Sequence, residues 1–192
     1  MTDRRAAVLA LIKSGTYPVK IIQAATEPTA DYDYQRRLRL WASDCAARAI
    51  HLLTDHPIAL QAAAFAITTA RDLASAEVAP SALALFAHPH YFKLYEEAKR
   101  TAFSAESEAR LAAALSAHVN VFLGALGAAT HARRAIQNST GQPPQPTQTE
   151  LDWQAQRLGQ WLDDVEPEPL TLWPTATKDR RLVEGCLPFA RV

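Results

Sequence analysis

The stretch that decides the fold is residues 34–52, which read YQRRLRLWASDCAARAIHL. Its apolar side chains recur at intervals of three and four residues. They are Leu38, Trp41, Cys45, Ala49 and Leu52. Because an α-helix turns once every 3.6 residues, this spacing puts them on one face, and most of the arginines fall on the other sides. We therefore predict an amphipathic helix whose apolar face packs against a core.

A proline boundary follows this first helix. Asp55-His56-Pro57 ends it and begins the next helix, because Asp caps helix starts and Pro is tolerated in a first helical turn. The next helix has its own stripe at helical spacing. The stripe consists of Ile58, Ala62, Phe65, Thr69 and Leu73.

A long helix is predicted between Ser104, which offers a cap, and about Asn138. Its stripe continues without interruption. It consists of Leu111, Leu115, His118, Val119, Phe122, Leu126, Ala129 and Ile136. Gly124 and Gly127 lie on another side of this helix, where the missing side chains would let a neighbouring helix approach closely.

Residues 138–148 contain a glycine and three prolines among polar residues, which predicts a loop. Thr147 and Glu150 then have capping-box spacing, so a final amphipathic helix begins there. Its stripe is Leu151, Ala155, Leu158, Leu162 and Val165. Pro167 and Pro169 end this helix.

Shorter helices are predicted at residues 3–13, 17–25, 77–87 and 91–103. The chain of 192 residues is 48% hydrophobic and has only 6 glycines, a composition that favours packed helices over sheet. We predict an all-α fold: a single-domain bundle of about six to seven helices in residues 1–166. An irregular C-terminal arm without helical period follows in residues 167–192.

Charge and cysteine content bound the function. The 20 basic residues balance the 20 acidic ones, which argues against binding to nucleic acid or to an anionic membrane surface. No stretch approaches the about 18 apolar residues of a membrane span. The two cysteines, Cys45 and Cys186, form neither a disulfide framework nor a paired zinc motif. We expect a cytoplasmic protein without cofactor.

The six histidines raise the alternative of a metal-dependent helical enzyme. Its candidate ligands are His88, His90, His118 and His131, with His51 as a further one. His88 and His90 flank a proline, while His118 and His131 would point about 140° apart around one helix. We therefore predict no metal site and no catalytic residue, and take hydrogen-bonded histidines as the leading interpretation.

The block around Cys45 has a structural interpretation. Cys45 lies on the apolar stripe between Trp41 and Ala49, where a thiol usually behaves as a small hydrophobic group. Asp44 and Arg48 are one turn apart in the order that favours an ion pair. We interpret Trp41, Asp44, Cys45 and Arg48 as residues of packing and helix register.

Two charge clusters are candidate binding surfaces. The basic cluster is Arg36, Arg37 and Arg39, and the acidic cluster is Asp163, Asp164, Glu166 and Glu168 beside Trp161. Aromatic anchors next to charges are common in protein interfaces, so we rank the acidic cluster first. A DNA-associated or stress-response protein is a further alternative. It would use Arg36, Arg37, Arg39, Arg133, Arg134, Arg180 and Arg181, although the neutral net charge makes nucleic acid an unfavoured partner.

Four blocks resemble the all-helical immunity proteins of bacterial polymorphic toxin systems, some of which carry an exonuclease label. They are Trp41-Ala42-Ser43-Asp44-Cys45-Ala46-Ala47-Arg48, Pro57 with Arg71, Ala117-His118 with the run to His131-Ala132, and Glu150 with Trp153-Gln154. Together they cover about residues 38–162. The resemblance implies a non-enzymatic protein that neutralises a cognate toxin by binding it. The sequence leaves a homodimer open, and it does not name the toxin.

Overall fold

The computed structural model describes residues 32–75, 104–118, 120–140, 148–162 and 167–172, with Ala10, Ser14, Glu96 and Arg100. This part of the chain contains no strand, so the predicted all-α fold is confirmed. Its α-helices are α1 (Tyr32–Ala49), α2 (Pro57–Ser75), α3 (Ala105–Ser116), α4 (Val121–Ser139) and α5 (Gln148–Trp161). A 3-10 helix, Ile50–Leu53, extends α1. The short helices predicted at residues 3–13, 17–25, 77–87 and 91–103 lie mostly or wholly outside the described residues.

Helix α1 is the centre of the bundle and packs against each of the other four helices. The predicted apolar face is buried at Leu38, Trp41, Cys45 and Ala49, but the burial is not confined to that face, since every residue from 38 to 47 is buried. Arg39 and Ser43 are buried as well as the apolar stripe. Periodicity counts apolar residues only, whereas a polar side chain can also be buried once its hydrogen bonds are satisfied.

Helix α2 begins at Pro57, as predicted, but it buries a different face from the predicted stripe. Ile58 is 80% exposed, and Phe65 and Leu73 are only partly buried. The buried face consists mainly of Leu60, Ala63, Ile67, Ala70 and Ala74. Apolar residues occur all around this helix, so its sequence is compatible with the burial of several different faces. The face that is buried is rich in alanine, whose small side chain permits close contact with neighbouring helices.

The long helix predicted from residue 104 to 138 is two helices, α3 and α4, separated at residues 117–120. Ser104 caps α3 as predicted, its hydroxyl accepting the Ser107 N–H at 3.1 Å. Asn120 caps α4, its side-chain oxygen accepting the Phe122 and Leu123 N–H groups at 3.1 Å each. The apolar spacing continues through the break and therefore concealed it.

Helices α3 and α4 make the most extensive contact between any two described helices. Most of their buried residues are alanines, while Leu111, Leu115 and Leu126 are only partly buried. A Cβ atom added to Gly124 would lie 2.7 Å from the Leu115 carbonyl oxygen, and one added to Gly127 would lie 2.5 Å from Leu115 Cδ1. The predicted close approach at these glycines is confirmed.

Helix α5 buries Leu151, Ala155 and Leu158, as its stripe predicts. It ends at Trp161, and the predicted Thr147 cap and Val165 lie outside the described residues. Residues 167–172 form neither helix nor strand and contact the bundle. Nothing is described of residues 173–192 of the predicted arm. Among the helices that are described, none is long and apolar enough to cross a membrane.

Candidate functional site

The carboxylate of Asp44 lies at the centre of the bundle with no exposed surface. Its Oδ2 accepts hydrogen bonds from Arg157 Nε at 2.7 Å and from Trp161 Nε1 at 2.9 Å. Its Oδ1 accepts from Arg71 Nη2 at 3.2 Å and from the Leu170 N–H at 2.8 Å. Four donors from two helices and one extended segment therefore satisfy a buried charge on α1. We call Asp44 and its four donor residues, Arg71, Arg157, Trp161 and Leu170, the Asp44 cluster.

Two arginines face one carboxylate in this cluster, so its side chains carry a net positive charge. Burial lowers the pKa of Arg71, and the neighbouring Asp44 acts in the opposite direction. Arg71 stays positively charged, because an arginine side chain is not deprotonated in proteins at ordinary pH. Arg71 Nε also donates to the Ser43 hydroxyl at 3.2 Å, which donates to the Leu40 carbonyl at 2.7 Å.

The extended residues 167–172 contact the Asp44 cluster through their main chain. The Leu170 N–H donates to Asp44, and the Leu170 carbonyl accepts from Arg71 Nη2 at 2.7 Å. The Glu168 carbonyl accepts from Arg157 Nη2. The Glu168 and Thr171 side chains are exposed, whereas Leu172 is buried and Leu170 packs against the core. This segment is thus held by main-chain hydrogen bonds and two leucines.

A second buried carboxylate, Glu150, ties α5 to α1. Its Oε2 accepts from Arg48 Nε at 2.7 Å, and the Arg48 guanidinium lies 4.4 Å above the centre of the Trp153 ring. Burial raises the pKa of Glu150, and Arg48 opposes this shift. The predicted pair between Asp44 and Arg48 is therefore wrong, because each residue is paired with an ion on another helix.

Hydrogen bonds to main-chain carbonyls also join α5 to α1 and to α4. Trp41 Nε1 donates to the Gln154 carbonyl at 3.1 Å, and Gln154 Nε2 donates to the Ala129 carbonyl at 3.0 Å. Cys45 is fully buried, and this burial, reinforced by Glu150, raises the pKa of its thiol well above the ordinary value. A thiol in such surroundings packs as an apolar group.

The histidines that are described have separate environments. His131 Nδ1 lies 2.6 Å from Glu108 Oε2 and joins α4 to α3. His118 lies in the break between these helices, where its Nδ1 accepts the Asn120 N–H at 3.0 Å. His118 and His131 therefore do not share one helix, although the predicted angle of about 140° between them assumed that they do. His88 and His90 lie outside the described residues, within which no three ligand-type side chains come together for a metal.

The predicted basic cluster contacts the ends of other helices. Arg37 donates to the carbonyl of Trp161, the last residue of α5, at 3.0 Å, and Arg39 donates to the His118 carbonyl at 3.0 Å. Arg36 and Arg37 also pair with Asp33 at 3.3 and 2.7 Å. A cation near the C-terminal end of a helix is stabilising, since the carbonyls there carry partial negative charge. Two of these arginines thus have structural contacts inside the fold.

The predicted acidic cluster is only partly described. Glu168 is exposed, and Asp163, Asp164 and Glu166 lie outside the described residues. Trp161 is 1% exposed and bonded to Asp44, so the expectation of a surface anchor at this residue needs correction: its side chain is inside the bundle. For the DNA alternative, Arg133 is partly buried and Arg134 exposed, and Arg180 and Arg181 fall outside the described residues.

Sequence reasoning missed the cluster's partners Arg157 and Leu170, and took Arg71 only from the family resemblance. A signal for Arg157 was present in α5, where Glu150, Gln154, Arg157 and Trp161 follow one another at helical spacing. They form a stripe next to the predicted apolar one, in which the side chains of Glu150, Arg157 and Trp161 bond to α1 and that of Gln154 bonds to α4. Leu170 bonds through its main chain, which no side-chain pattern shows.

No family model, no curated protein and no solved structure matches this chain. The described carboxylates with the greatest burial, Asp44, Glu108 and Glu150, are all paired with cations or potential cations of other helices. Chemically, this arrangement fixes helix positions and holds an extended segment.

Proposed function

We propose that the protein is a non-enzymatic binding protein that neutralises a cognate bacterial toxin by covering its active surface in the cytoplasm of the producing cell. The observation that carries the proposal is the meeting of the two sequence blocks that are most distinctive of the resemblance. Trp41 bonds to Gln154, and Arg48 contacts both Glu150 and Trp153. Both blocks thus serve one interface between α1 and α5, as blocks that encode a shared scaffold would.

The partners of the buried charges support binding rather than catalysis. A general base or nucleophile must contact its substrate. The Asp44 carboxylate has no exposed surface, and its oxygens accept hydrogen bonds from four donors within the fold. A scaffold fixed in this way presents a stable outer surface, which lowers the entropic cost of binding a partner.

The acidic cluster is the surface that we rank first for the toxin contact. With Trp161 in the core, the proposed contact consists of the carboxylates Asp163, Asp164, Glu166 and Glu168 rather than a carboxylate patch with an aromatic anchor. A toxin that acts on an anionic substrate has a basic active surface, and acidic side chains would be complementary to it. The basic cluster ranks second because Arg37 and Arg39 are bound to carbonyls of the bundle.

Co-expression with the toxic product of an adjacent gene tests this proposal. The variant Asp163→Lys/Asp164→Lys/Glu166→Lys should lose protection of the host cell. The control is Asp55→Lys/Asp72→Lys/Asp152→Lys, which changes the net charge equally at three exposed acidic residues elsewhere. Circular dichroism establishes that both are folded. Undiminished protection by the first variant would exclude the acidic cluster, and absence of protection by the wild type would contradict the function.

A further inference from the structure

We propose that the cleft over Asp44 is a peptide-recognition site that binds the main chain of an extended segment from a partner protein, and that residues 167–172 are its internal occupant. This goes beyond the proposed function, because it specifies recognition of main-chain groups rather than of surface charge. The cleft is formed by Arg71 of α2 and Arg157 of α5 on either side of Asp44 of α1.

The hydrogen bonds in the cleft form a ladder for an extended chain. Asp44 accepts the Leu170 N–H, Arg71 donates to the Leu170 carbonyl, and Arg157 donates to the Glu168 carbonyl. A carboxylate beside a guanidinium thus matches the N–H donor and the carbonyl acceptor of one residue, Leu170. Every residue except proline at the position of Leu170 offers these groups, so the ladder does not require the sequence of the chain's own segment.

Selectivity comes from two leucines at alternate positions. Successive side chains of an extended chain point in opposite directions, so Leu170 and Leu172 share one face. Leu172 is buried, Leu170 packs against the core, and the intervening Thr171 is exposed. The cleft therefore fits an extended peptide of the pattern Leu-x-Leu, with any polar residue between the leucines.

An empty cleft would be unfavourable, so a partner's segment would bind by taking the place of residues 167–172. Without the segment, Asp44 loses one donor, and Arg71 and Arg157 each lose one carbonyl acceptor, at side chains that are 0%, 18% and 11% exposed. Buried charged groups that lack a partner are costly, so a competing peptide would restore the same bonds. The internal segment competes at high effective concentration because it is covalently attached.

Fluorescence anisotropy on the full-length protein tests the proposal with the labelled peptide Pro-Glu-Pro-Leu-Thr-Leu, which copies residues 167–172. Leu170→Pro removes the N–H that Asp44 accepts, so the internal segment should compete poorly. We expect this variant to bind the peptide at least about tenfold more tightly than the wild type, corresponding to one lost hydrogen bond to a charged group.

Two controls separate recognition from simple loosening of the structure. A peptide that is N-methylated at its first leucine lacks the N–H donor and should bind the Leu170→Pro variant about tenfold more weakly. The variant Leu170→Ala/Leu172→Ala weakens the internal segment while leaving its main chain intact, and it should also bind the unmodified peptide more tightly than the wild type.

Three outcomes would overturn the proposal. In the first, both folded variants bind the peptide no better than the wild type. In the second, both variants lose helical content, which would make residues 167–172 an integral part of the core. In the third, the wild type is a dimer that the peptide dissociates, which would make a second copy of this chain the occupant.

Discussion

Arg157 Nε lies 2.7 Å from Asp44 Oδ2 in the middle of the helical bundle, where the Asp44 side chain has no contact with solvent. This ion pair joins the central helix α1 to the final helix α5. Arg71 of α2 binds the other oxygen of the same carboxylate at 3.2 Å. A single aspartate therefore holds three helices in register, and its removal leaves two arginines without their buried counter-charge.

Replacing Asp44 by asparagine should destabilise the protein by about 3–5 kcal/mol, because removing one partner of a buried ion pair leaves the other charge uncompensated. Urea denaturation followed by circular dichroism measures this loss. Asp55→Asn is the matched control, since Asp55 is exposed and should change the free energy of unfolding by less than about 0.5 kcal/mol. Equal stability of both variants would show that the Asp44 cluster does not hold the helices together.

The pH dependence of stability should reveal the buried Glu150. Burial raises the pKa of Glu150 in the folded protein, so the folded state binds its proton more tightly than the unfolded chain does. The contribution of this group to stability is therefore greatest below the ordinary glutamate pKa of about 4.3 and declines as pH rises through the raised pKa. Glu150→Gln lacks this titration. The destabilisation caused by the substitution should thus be larger at pH 4 than at pH 7, and the reverse trend in urea unfolding would refute the account.

Two glycine substitutions in α4 should differ in their effect. Gly124→Ala places a Cβ atom 2.7 Å from the Leu115 carbonyl oxygen, and the main chain of α3 must move to accommodate it. We expect a loss of about 1–3 kcal/mol from overpacking. Gly127→Ala meets only the flexible end of the Leu115 side chain, and the higher helix propensity of alanine offsets part of its cost. Thermal unfolding should therefore rank Gly124→Ala as the less stable variant.

The cap at Asn120 accounts for the start of α4. Asn120→Ala removes an acceptor from two main-chain N–H groups and should cost about 1 kcal/mol. Asn120→Asp keeps the acceptor and adds a favourable charge at the helix start, so its stability should stay close to that of the wild type. Differential scanning calorimetry of the pair provides the comparison. An Asn120→Ala variant as stable as the Asp variant would mean that α3 and α4 do not depend on this cap.

The helical class and several helix boundaries could be predicted from sequence, because they depend on local chemistry. Pro57 begins α2 and Ser104 caps α3, as their residue types predict. The break between α3 and α4 was missed since apolar spacing passes through it. The Asn120 cap is a local signal that could have located the break.

The faces buried by each helix were less predictable. In α2 and α4 the core is made largely of alanine, and alanine occurs on several sides of both helices. The face that is buried therefore depends on which neighbour approaches most closely, and this is a property of the whole bundle. Ile58 shows the difficulty: it belongs to a regular apolar stripe and is 80% exposed.

The Asp44 cluster shows why pairing between distant residues escapes sequence analysis. Spacing within one helix favoured Arg48 as the partner of Asp44, since the two are one turn apart. The observed partners are Arg71 and Arg157, on other helices. A choice among several arginines at long range depends on tertiary packing, which no local pattern in the sequence encodes.

The most direct test of the central claim, that this protein acts by binding a toxin, is isothermal titration calorimetry of the purified full-length chain against an inactive variant of the toxin encoded beside it. The account predicts a one-to-one complex with a dissociation constant in the nanomolar range, which corresponds to a free energy of binding of about −12 kcal/mol. It also predicts that Asp163→Lys/Asp164→Lys/Glu166→Lys weakens this complex, whereas the control variant at Asp55, Asp72 and Asp152 does not. The absence of any complex between the wild-type chain and that toxin would contradict the account.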